Sequence, residues 1–155
     1  MEIGIIGLGL IGGSLAKAIS QNTDHTVYGT DISPQVVKKA VLIDAIEQPL
    51  TDALLPQCDI IIAALYPRDT IAYVKEHGHL FKEGSIVIDC CGVKSIVCDE
   101  LVPFAEKQGF LFVGGHPMAG LEHSGFGYAK KSLFNNASMI FTTTRGPIES
   151  METLK

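Results

Sequence analysis

Short apolar runs alternate with amphipathic stretches along the whole chain. The apolar runs predict strands over residues 2–6, 25–30, 45–47, 59–65, 85–89, 110–114 and 137–143, of which the strand at 45–47 is the weakest. Helical periodicity predicts helices over residues 11–19, 34–40, 67–80 and 95–107, and the start of another at Pro147. Because strands that alternate with helices pair in parallel, the chain is predicted to form a doubly wound α/β sheet.

The first strand leads directly into Gly7-Leu8-Gly9-Leu10-Ile11-Gly12, and a helix and a strand ending at Asp31 follow. In this pattern Gly7 allows a tight turn, Gly9 lets the backbone approach a pyrophosphate, and Gly12 lets the helix pack closely on the strand. The N–H groups that begin the helix then face the phosphates. Asp31 follows Gly12 by 19 residues, a spacing at which a carboxylate reaches the adenosine ribose hydroxyls. Residues 1–143 are therefore predicted to form a Rossmann-type dinucleotide-binding domain, with an ordinary tight turn as the alternative.

The cofactor predicted for this domain is NAD, and NADP is the less favoured alternative. The Asp31 carboxylate would repel a 2′-phosphate, and no arginine occurs before Arg68 to bind one. Lys38 and Lys39 could still bind that phosphate. The loop Leu65-Tyr66-Pro67 follows a buried strand and is predicted to lie beside the cofactor.

Composition narrows the possible function classes. The 155 residues have a net charge of −5 and no basic stripe, which argues against nucleic-acid binding. No uncharged stretch reaches the length of a membrane span, and the first residues lack the basic start of a signal peptide, so a cytoplasmic location is expected. The four cysteines form no CxxC pair and are expected to be buried or half-buried thiols. No metal site is predicted, because the spacing of His116, Glu122 and His123 matches no common zinc set.

A histidine lies just beyond the predicted end of the sixth strand. The segment Gly115-His116-Pro117 follows the strand at 110–114, and ligands of such sheets bind beside the carboxyl ends of the strands. A residue before proline favours extended geometry, so we expect His116 to have a fixed direction on a loop. Because an imidazole changes charge near neutrality, His116 is a candidate general base, with a structural histidine as the alternative.

Three segments together carry a resemblance to a known family. They are residues 7–16, Asp89 with the following Val93-Lys94-Ser95, and the run Gly114-Gly115-His116-Pro117-Met118-Ala119-Gly120 with Glu122, Ser124 and Gly125. In these segments the chain resembles the prephenate/arogenate dehydrogenases of tyrosine biosynthesis. The glycine turn is shared with many dehydrogenases, whereas the segment around His116 is far more specific.

The resemblance implies an NAD-dependent oxidative decarboxylation of prephenate to 4-hydroxyphenylpyruvate, or of arogenate to tyrosine. It implies that His116 takes the proton of the ring 4-hydroxyl and that Ser95 helps to bridge this hydroxyl, the histidine and the nicotinamide. It also implies that Glu122 lies near the entrance of the site with a weaker role. Ser95 could instead, or also, cap the helix that follows it, and Glu122 could be an exposed turn residue.

Members of this family carry a second, helical domain, which provides the dimer interface and an arginine for the substrate's side-chain carboxylate. Residues 144–155 are expected to begin the link to that domain, and a homodimer is expected for the full-length form. Without the arginine, we expect the chain to bind NAD but to turn over slowly or not at all. Two further readings remain: another dehydrogenase with the same amino-terminal fold, such as a β-hydroxyacid dehydrogenase or imine reductase, and a non-catalytic NAD-binding or regulatory module.

Overall fold

A computed structural model of the chain describes residues 1–142. Strands and helices alternate along these residues, as the sequence predicts. The strands are β1 (Glu2–Ile6), β2 (Thr26–Thr30), β3 (Gln48–Pro49), β4 (Ile60–Ala63), β5 (Ile86–Asp89), β6 (Leu111–Pro117) and β7 (Met139–Thr142). The α-helices are α1 (Leu10–Asn22), α2 (Pro34–Leu42), α3 (Pro67–His77) and α4 (Lys94–Gln108).

The strands form one sheet in the order β3-β2-β1-β4-β5-β6-β7. The chain winds outward from β1 to β3 and then returns to β4, which pairs with the other side of β1. The order therefore reverses between β1 and β4, and this switch point is where sheets of this kind bind their ligands. The predicted Rossmann-type, doubly wound fold is confirmed.

Successive residues of the central strands point to opposite faces of the sheet, and each face has its own apolar core. Ile5 and Ile62 belong to a core that includes Ala16 of α1 and Val37 of α2. The neighbouring Ile61 instead belongs to the core on the other face, with residues of α3 and α4. Because both faces are covered, the strands are apolar throughout, which explains why their sequence runs are continuous rather than alternating.

The last strand departs from the expected parallel arrangement, since β7 pairs with β6 in the antiparallel direction. A parallel pair needs a long crossover, usually an α-helix, between its strands. Residues 118–138 contain only turns and one short 3₁₀ turn, Phe126–Tyr128, so the chain doubles back beside β6.

The short strand after α2 lies three residues later than predicted. Asp44 has a φ of 55° and ends the helix, and the N–H groups of Ala45 and Ile46 both donate to the carbonyl of Ala40. Those donors are therefore not available to the sheet, and ladder pairing with β2 begins only at Gln48. The predicted helix beginning at Pro147, residue 143 of the predicted last strand and the link at 144–155 lie outside the described residues.

Candidate cofactor and catalytic site

The carboxyl ends of four adjacent strands lie level with one another. Ile6 is paired with Ala63, Ala63 with Asp89, and Asp89 with Gly114. The loops that follow β1, β4 and β5 therefore share one edge of the sheet with the last residues of β6. We call residues 7–12 with Asp31 the glycine-turn region, and residues 89–95 with 114–122 the histidine region.

Two glycines of the glycine-turn region are required by close backbone contacts. Gly7 has a φ of 87°, and its N–H donates to the carbonyl of Thr30 at 2.8 Å, which ties the turn to the end of β2. A Cβ on Gly12 would lie 1.9 Å from the carbonyl oxygen of Gly7. Any side chain at position 12 would therefore push α1 away from the strand that precedes it.

Gly9 is different, because a Cβ placed there would meet no described atom within 4 Å. Gly9 is the N-cap residue of α1, and no side chain of the described residues caps that end of the helix. The first turn of α1 contains no acidic residue. Open space in front of uncapped helical N–H groups is the arrangement that receives a phosphate, so the predicted role of Gly9 fits the structure.

Asp31 is fixed by two backbone hydrogen bonds. One carboxylate oxygen accepts from the N–H of Leu8 at 2.9 Å, and the other accepts from the N–H of Ser33 at 2.9 Å. The bond to Leu8 joins the acid at the end of β2 to the glycine turn. The side chain of Leu8 is fully buried in the core, so a cofactor would meet only its backbone.

The remaining predicted cofactor residues lie around the same open space at the start of α1. Leu10 and Ile11 begin α1 and are half-buried. Leu65 packs beside the glycine turn, with Cδ2 2.7 Å from the position of a Cβ on Gly7. Tyr66 is 81% exposed and Pro67 opens α3. Through Leu65 this loop adjoins the glycine turn, while its predicted place beside the cofactor stays a prediction.

His116 lies inside β6, not on a loop beyond it. Pairing with β7 extends β6 past Gly114, and His116 is paired with Ile140. The expectation of a loop was wrong because the sequence did not show that a later strand would return beside this segment. The fixed direction expected for His116 is nevertheless provided, by the ladder of hydrogen bonds rather than by Pro117 alone.

The His116 ring lies against the turn that follows β5. A Cβ on Gly92 would be 3.5 Å from Cε1 of the ring and 3.9 Å from Nδ1. Nδ1 is buried and has no hydrogen-bond partner among the described residues. Buried polar atoms are nearly always paired, so an unpaired one calls for an explanation, of which a catalytic role is one.

Ser95 and Glu122 make no hydrogen bond to the ring within residues 1–142. Both side chains are exposed, and neither makes a hydrogen bond to another described residue. Ser95 is the second residue of α4, whose N-cap is Val93. The alternative role of Ser95 as a helix cap is therefore wrong. The exposure of Glu122 is also compatible with its alternative as a turn residue.

Sequence reasoning missed an ion pair beside His116. The carboxylate of Asp89 is fully buried and accepts from the side chain of Lys94, which also donates to the carbonyl of Gly115. The other carboxylate oxygen accepts from the N–H of Gly115 at 3.1 Å. An acid at a strand end followed by a lysine at the next helix start was the available signal.

The two neighbouring thiols of the histidine region have raised pKa values. Burial raises the pKa of Cys90 to about 12 and that of Cys91 to about 11. The Cys91 thiol donates to the carbonyl of Leu65 at 3.4 Å. All four cysteines are free, and three of them are buried, as expected.

Other classes of site find no support in residues 1–142. No group of three or more metal-ligating side chains comes together there, and no helix is long and apolar enough to cross a membrane. A cavity of about 400 Å³ lies between α1 and the sheet, but its walls are almost entirely apolar, including Ile3, Leu15 and Phe141. Its few polar lining residues include His25 and Ser138, and it lies apart from the glycine turn.

A family model and a curated relative match most of the chain. The model described as the nucleotide-binding domain of prephenate dehydrogenase matches residues 15–155. The prephenate dehydrogenase of Bacillus subtilis (strain 168) is 31% identical over 160 residues, which cover 97% of this chain and 42% of the relative. The chain thus spans less than half the length of this relative.

Two solved structures are similar over nearly the whole chain, each with 28% sequence identity. The Synechocystis arogenate dehydrogenase matches with a TM-score of 0.89 over 99% of this chain and 54% of its own. The Aquifex aeolicus prephenate dehydrogenase, solved in complex with hydroxyphenyl propionate and NAD⁺, matches with a TM-score of 0.87 over 99% of this chain and 55% of its own.

Proposed function

Because the chain belongs to the prephenate dehydrogenase family, whose nucleotide-binding domain it matches over residues 15–155, we propose that it binds NAD and carries the histidine that catalyses the reaction of prephenate dehydrogenases. The reaction is the oxidative decarboxylation of prephenate to 4-hydroxyphenylpyruvate. The observation that carries the proposal is the position of His116, whose ring lies against the turn after β5, with Nδ1 unpaired among the described residues, at the same sheet edge as the open glycine turn.

The glycine-turn region fits NAD. Gly9 leaves space for a pyrophosphate at the uncapped start of α1, and Asp31 is fixed where a ribose would follow. A 2′-phosphate would meet the negative charge of Asp31, which favours NAD over NADP. When bound, NAD supplies the hydride acceptor, and the chain's own residues bind and orient it.

His116 is proposed to accept the proton of the substrate hydroxyl. Its backbone is fixed in β6, which reduces the reorganisation needed before proton transfer. Ser95 is proposed to help bridge this hydroxyl, His116 and the nicotinamide, and Glu122 to lie near the entrance of the site with a weaker role. Both side chains are exposed. Arogenate is the second candidate substrate, because the similar Synechocystis protein is an arogenate dehydrogenase.

A cytoplasmic location and a homodimer belong to the same proposal. Four free thiols are typical of a reducing compartment. Exposed apolar side chains near the histidine region, including Ile96 and Met118, would suit burial against a further domain or subunit.

Calorimetric titration tests the cofactor part of the proposal. The chain is titrated with NAD and with NADP, in the native form and as Asp31→Ala. Loss of a charged acceptor for two backbone donors is expected to weaken NAD binding by at least about tenfold. Asp24→Ala is the matched control, because Asp24 is exposed on the loop before β2, away from the site edge. Equal NAD affinity in native protein and Asp31→Ala would contradict the assignment.

Prephenate and arogenate are then titrated separately into the NAD-saturated protein, and absorbance of the reduced nicotinamide is followed. Formation of reduced nicotinamide that is lost in His116→Gln, with binding of the compound retained, supports the catalytic assignment, and the compound that is oxidised is the substrate. NAD binding with no response to either compound would leave a nucleotide-binding module as the function of this chain.

A further inference from the structure

Gly115, the residue before His116, has both of its backbone polar groups bound by one ion pair. Its N–H donates to one carboxylate oxygen of Asp89 at 3.1 Å, and its carbonyl accepts from the ammonium group of Lys94. Lys94 also donates to the second carboxylate oxygen of Asp89. The peptide units on both sides of Gly115 are therefore fixed by side chains.

This arrangement continues the sheet beyond the point where β5 ends. The last ladder pair between β5 and β6 is Asp89 with Gly114, so Gly115 has no strand residue opposite it on that side. The Asp89 and Lys94 side chains occupy that place and supply the missing acceptor and donor. On the β5 side the regular ladder thus ends at Gly114, and these two side chains continue its hydrogen bonding to Gly115.

The same carboxylate also fixes the turn against which the His116 ring lies. The second oxygen of Asp89 accepts from the N–H of Cys91 at 3.0 Å. That bond places the next residue, Gly92, beside Cε1 of the His116 ring. One buried acid therefore binds the backbone on two sides of the imidazole, that of β6 and that of the β5–α4 turn.

Stability alone is a weak explanation for this pair. Asp89 is fully buried and the Lys94 side chain is 17% exposed, so forming the pair requires both charges to leave water. Buried ion pairs often contribute no more to stability than an apolar pair would, whereas charge-assisted hydrogen bonds have strict geometry. The pair is better suited to fixing the orientation of the backbone groups that it bonds.

We propose that Asp89 and Lys94 are positioning residues that give the His116 imidazole a single orientation towards the ligand edge. The meaning of that orientation for catalysis depends on the proposed function. The orientation itself does not, because it can be measured in the ligand-free chain.

The test uses NMR of the His116 ring and the Gly115 amide in native protein, Lys94→Met, Lys94→Arg, Asp89→Asn and Lys107→Met. His116→Gln identifies the ring signals. In Lys94→Met and Asp89→Asn we expect the His116 ring signals to shift and split or broaden, while those of the distant His25 and His79 stay in place. Hydrogen exchange at the Gly115 amide is expected to rise by about tenfold in Asp89→Asn.

Lys94→Arg is expected to recover a single set of His116 ring signals, because guanidinium can donate to both acceptors. Lys107→Met, at the exposed end of the same helix, is the control and should match native protein. Unchanged His116 signals in folded Lys94→Met and Asp89→Asn would overturn the proposal. Unfolding of both variants, with Lys94→Arg unfolded as well, would overturn it too, since the pair would then be a stabilising element. Failure of NAD or substrate to bind would refute the proposed function and leave this result standing.

Discussion

The glycine-turn region and the histidine region share one edge of the sheet, but they differ in which groups are already paired. In the first, both oxygens of Asp31 accept backbone hydrogen bonds, and Gly7 and Gly12 are in close backbone contact. In the second, the backbone is equally fixed, yet Nδ1 of His116 has no partner within residues 1–142, and Ser95 is exposed. The comparison teaches that each region fixes its backbone and leaves a different kind of group unpaired among the described residues, namely the N–H groups at the start of α1 in the first and a side-chain nitrogen in the second.

The largest effect is expected from breaking the glycine-turn region with Gly12→Ala. The new Cβ would lie 1.9 Å from the Gly7 carbonyl oxygen, so α1 must move away from β1. We expect a loss of about 3 kcal/mol or more in unfolding free energy, together with loss of NAD binding. Chemical denaturation and calorimetry measure the two effects.

Gly120→Ala is the control, because its Cβ would meet no described atom within 4 Å and Gly120 has no positive φ. Its unfolding free energy should stay within about 0.5 kcal/mol of native protein. Native stability in Gly12→Ala would mean that the helix does not pack on the turn as described.

A second test measures how the unfolding free energy depends on pH, which reports on the Cys91 thiol of the histidine region. Burial raises the pKa of Cys91 from 9.0 to about 11. The folded state therefore favours the neutral thiol, so this contribution to stability is full below pH 9 and is lost as pH rises to 11. The loss amounts to about 2–3 kcal/mol.

Cys91→Ala should be less stable than native protein at pH 7 but should lose less stability between pH 9 and pH 11. Denaturation curves across that range measure both slopes, and labelling with a thiol reagent at pH 8 should be slow in the folded protein. Parallel slopes in the two proteins would show that the Cys91 thiol is not shielded.

The smallest effects are expected from substitutions at two neighbouring positions, Gly92 and Ser95. Gly92→Ala places a methyl group 3.5 Å from Cε1 of His116, whereas Ser95→Ala changes an exposed side chain without a described contact. Both should alter unfolding free energy by less than about 1 kcal/mol. Only Gly92→Ala is expected to shift the His116 ring signals in NMR spectra of the ligand-free chain. A larger shift from Ser95→Ala would place the serine, not the glycine, beside the ring.

Much of the glycine-turn region could be predicted from sequence because its determinants are local. Gly7, Gly9 and Gly12 lie within six residues, and Asp31 follows at the end of the next strand. The continuous apolar strands likewise predict a sheet covered on both faces, since each strand shows this pattern by itself.

The histidine region was predicted less well because its contacts join distant segments. His116 lies in a strand only because residues 139–142 return beside it, and no pattern near His116 shows this. The contact between Asp89 and Gly115 spans 26 residues, so the ion pair and the place of Gly92 beside the ring became visible only in the fold. The resemblance points to Ser95, whereas Gly92 has no side chain that could suggest a role in the sequence.

The most direct test of the central claim, that this chain is an NAD-binding domain organised around its glycine turn, is calorimetric titration of Gly9→Ala with NAD. Gly9 has an extended backbone that alanine can adopt, and its Cβ would meet no described atom within 4 Å, so the free protein should lose less than about 1 kcal/mol of stability. The methyl group would occupy the space assigned to the pyrophosphate, and NAD affinity should fall by about a hundredfold, a cost of roughly 3 kcal/mol. Native NAD affinity in a stable Gly9→Ala variant would contradict the account, because the cofactor would then bind elsewhere.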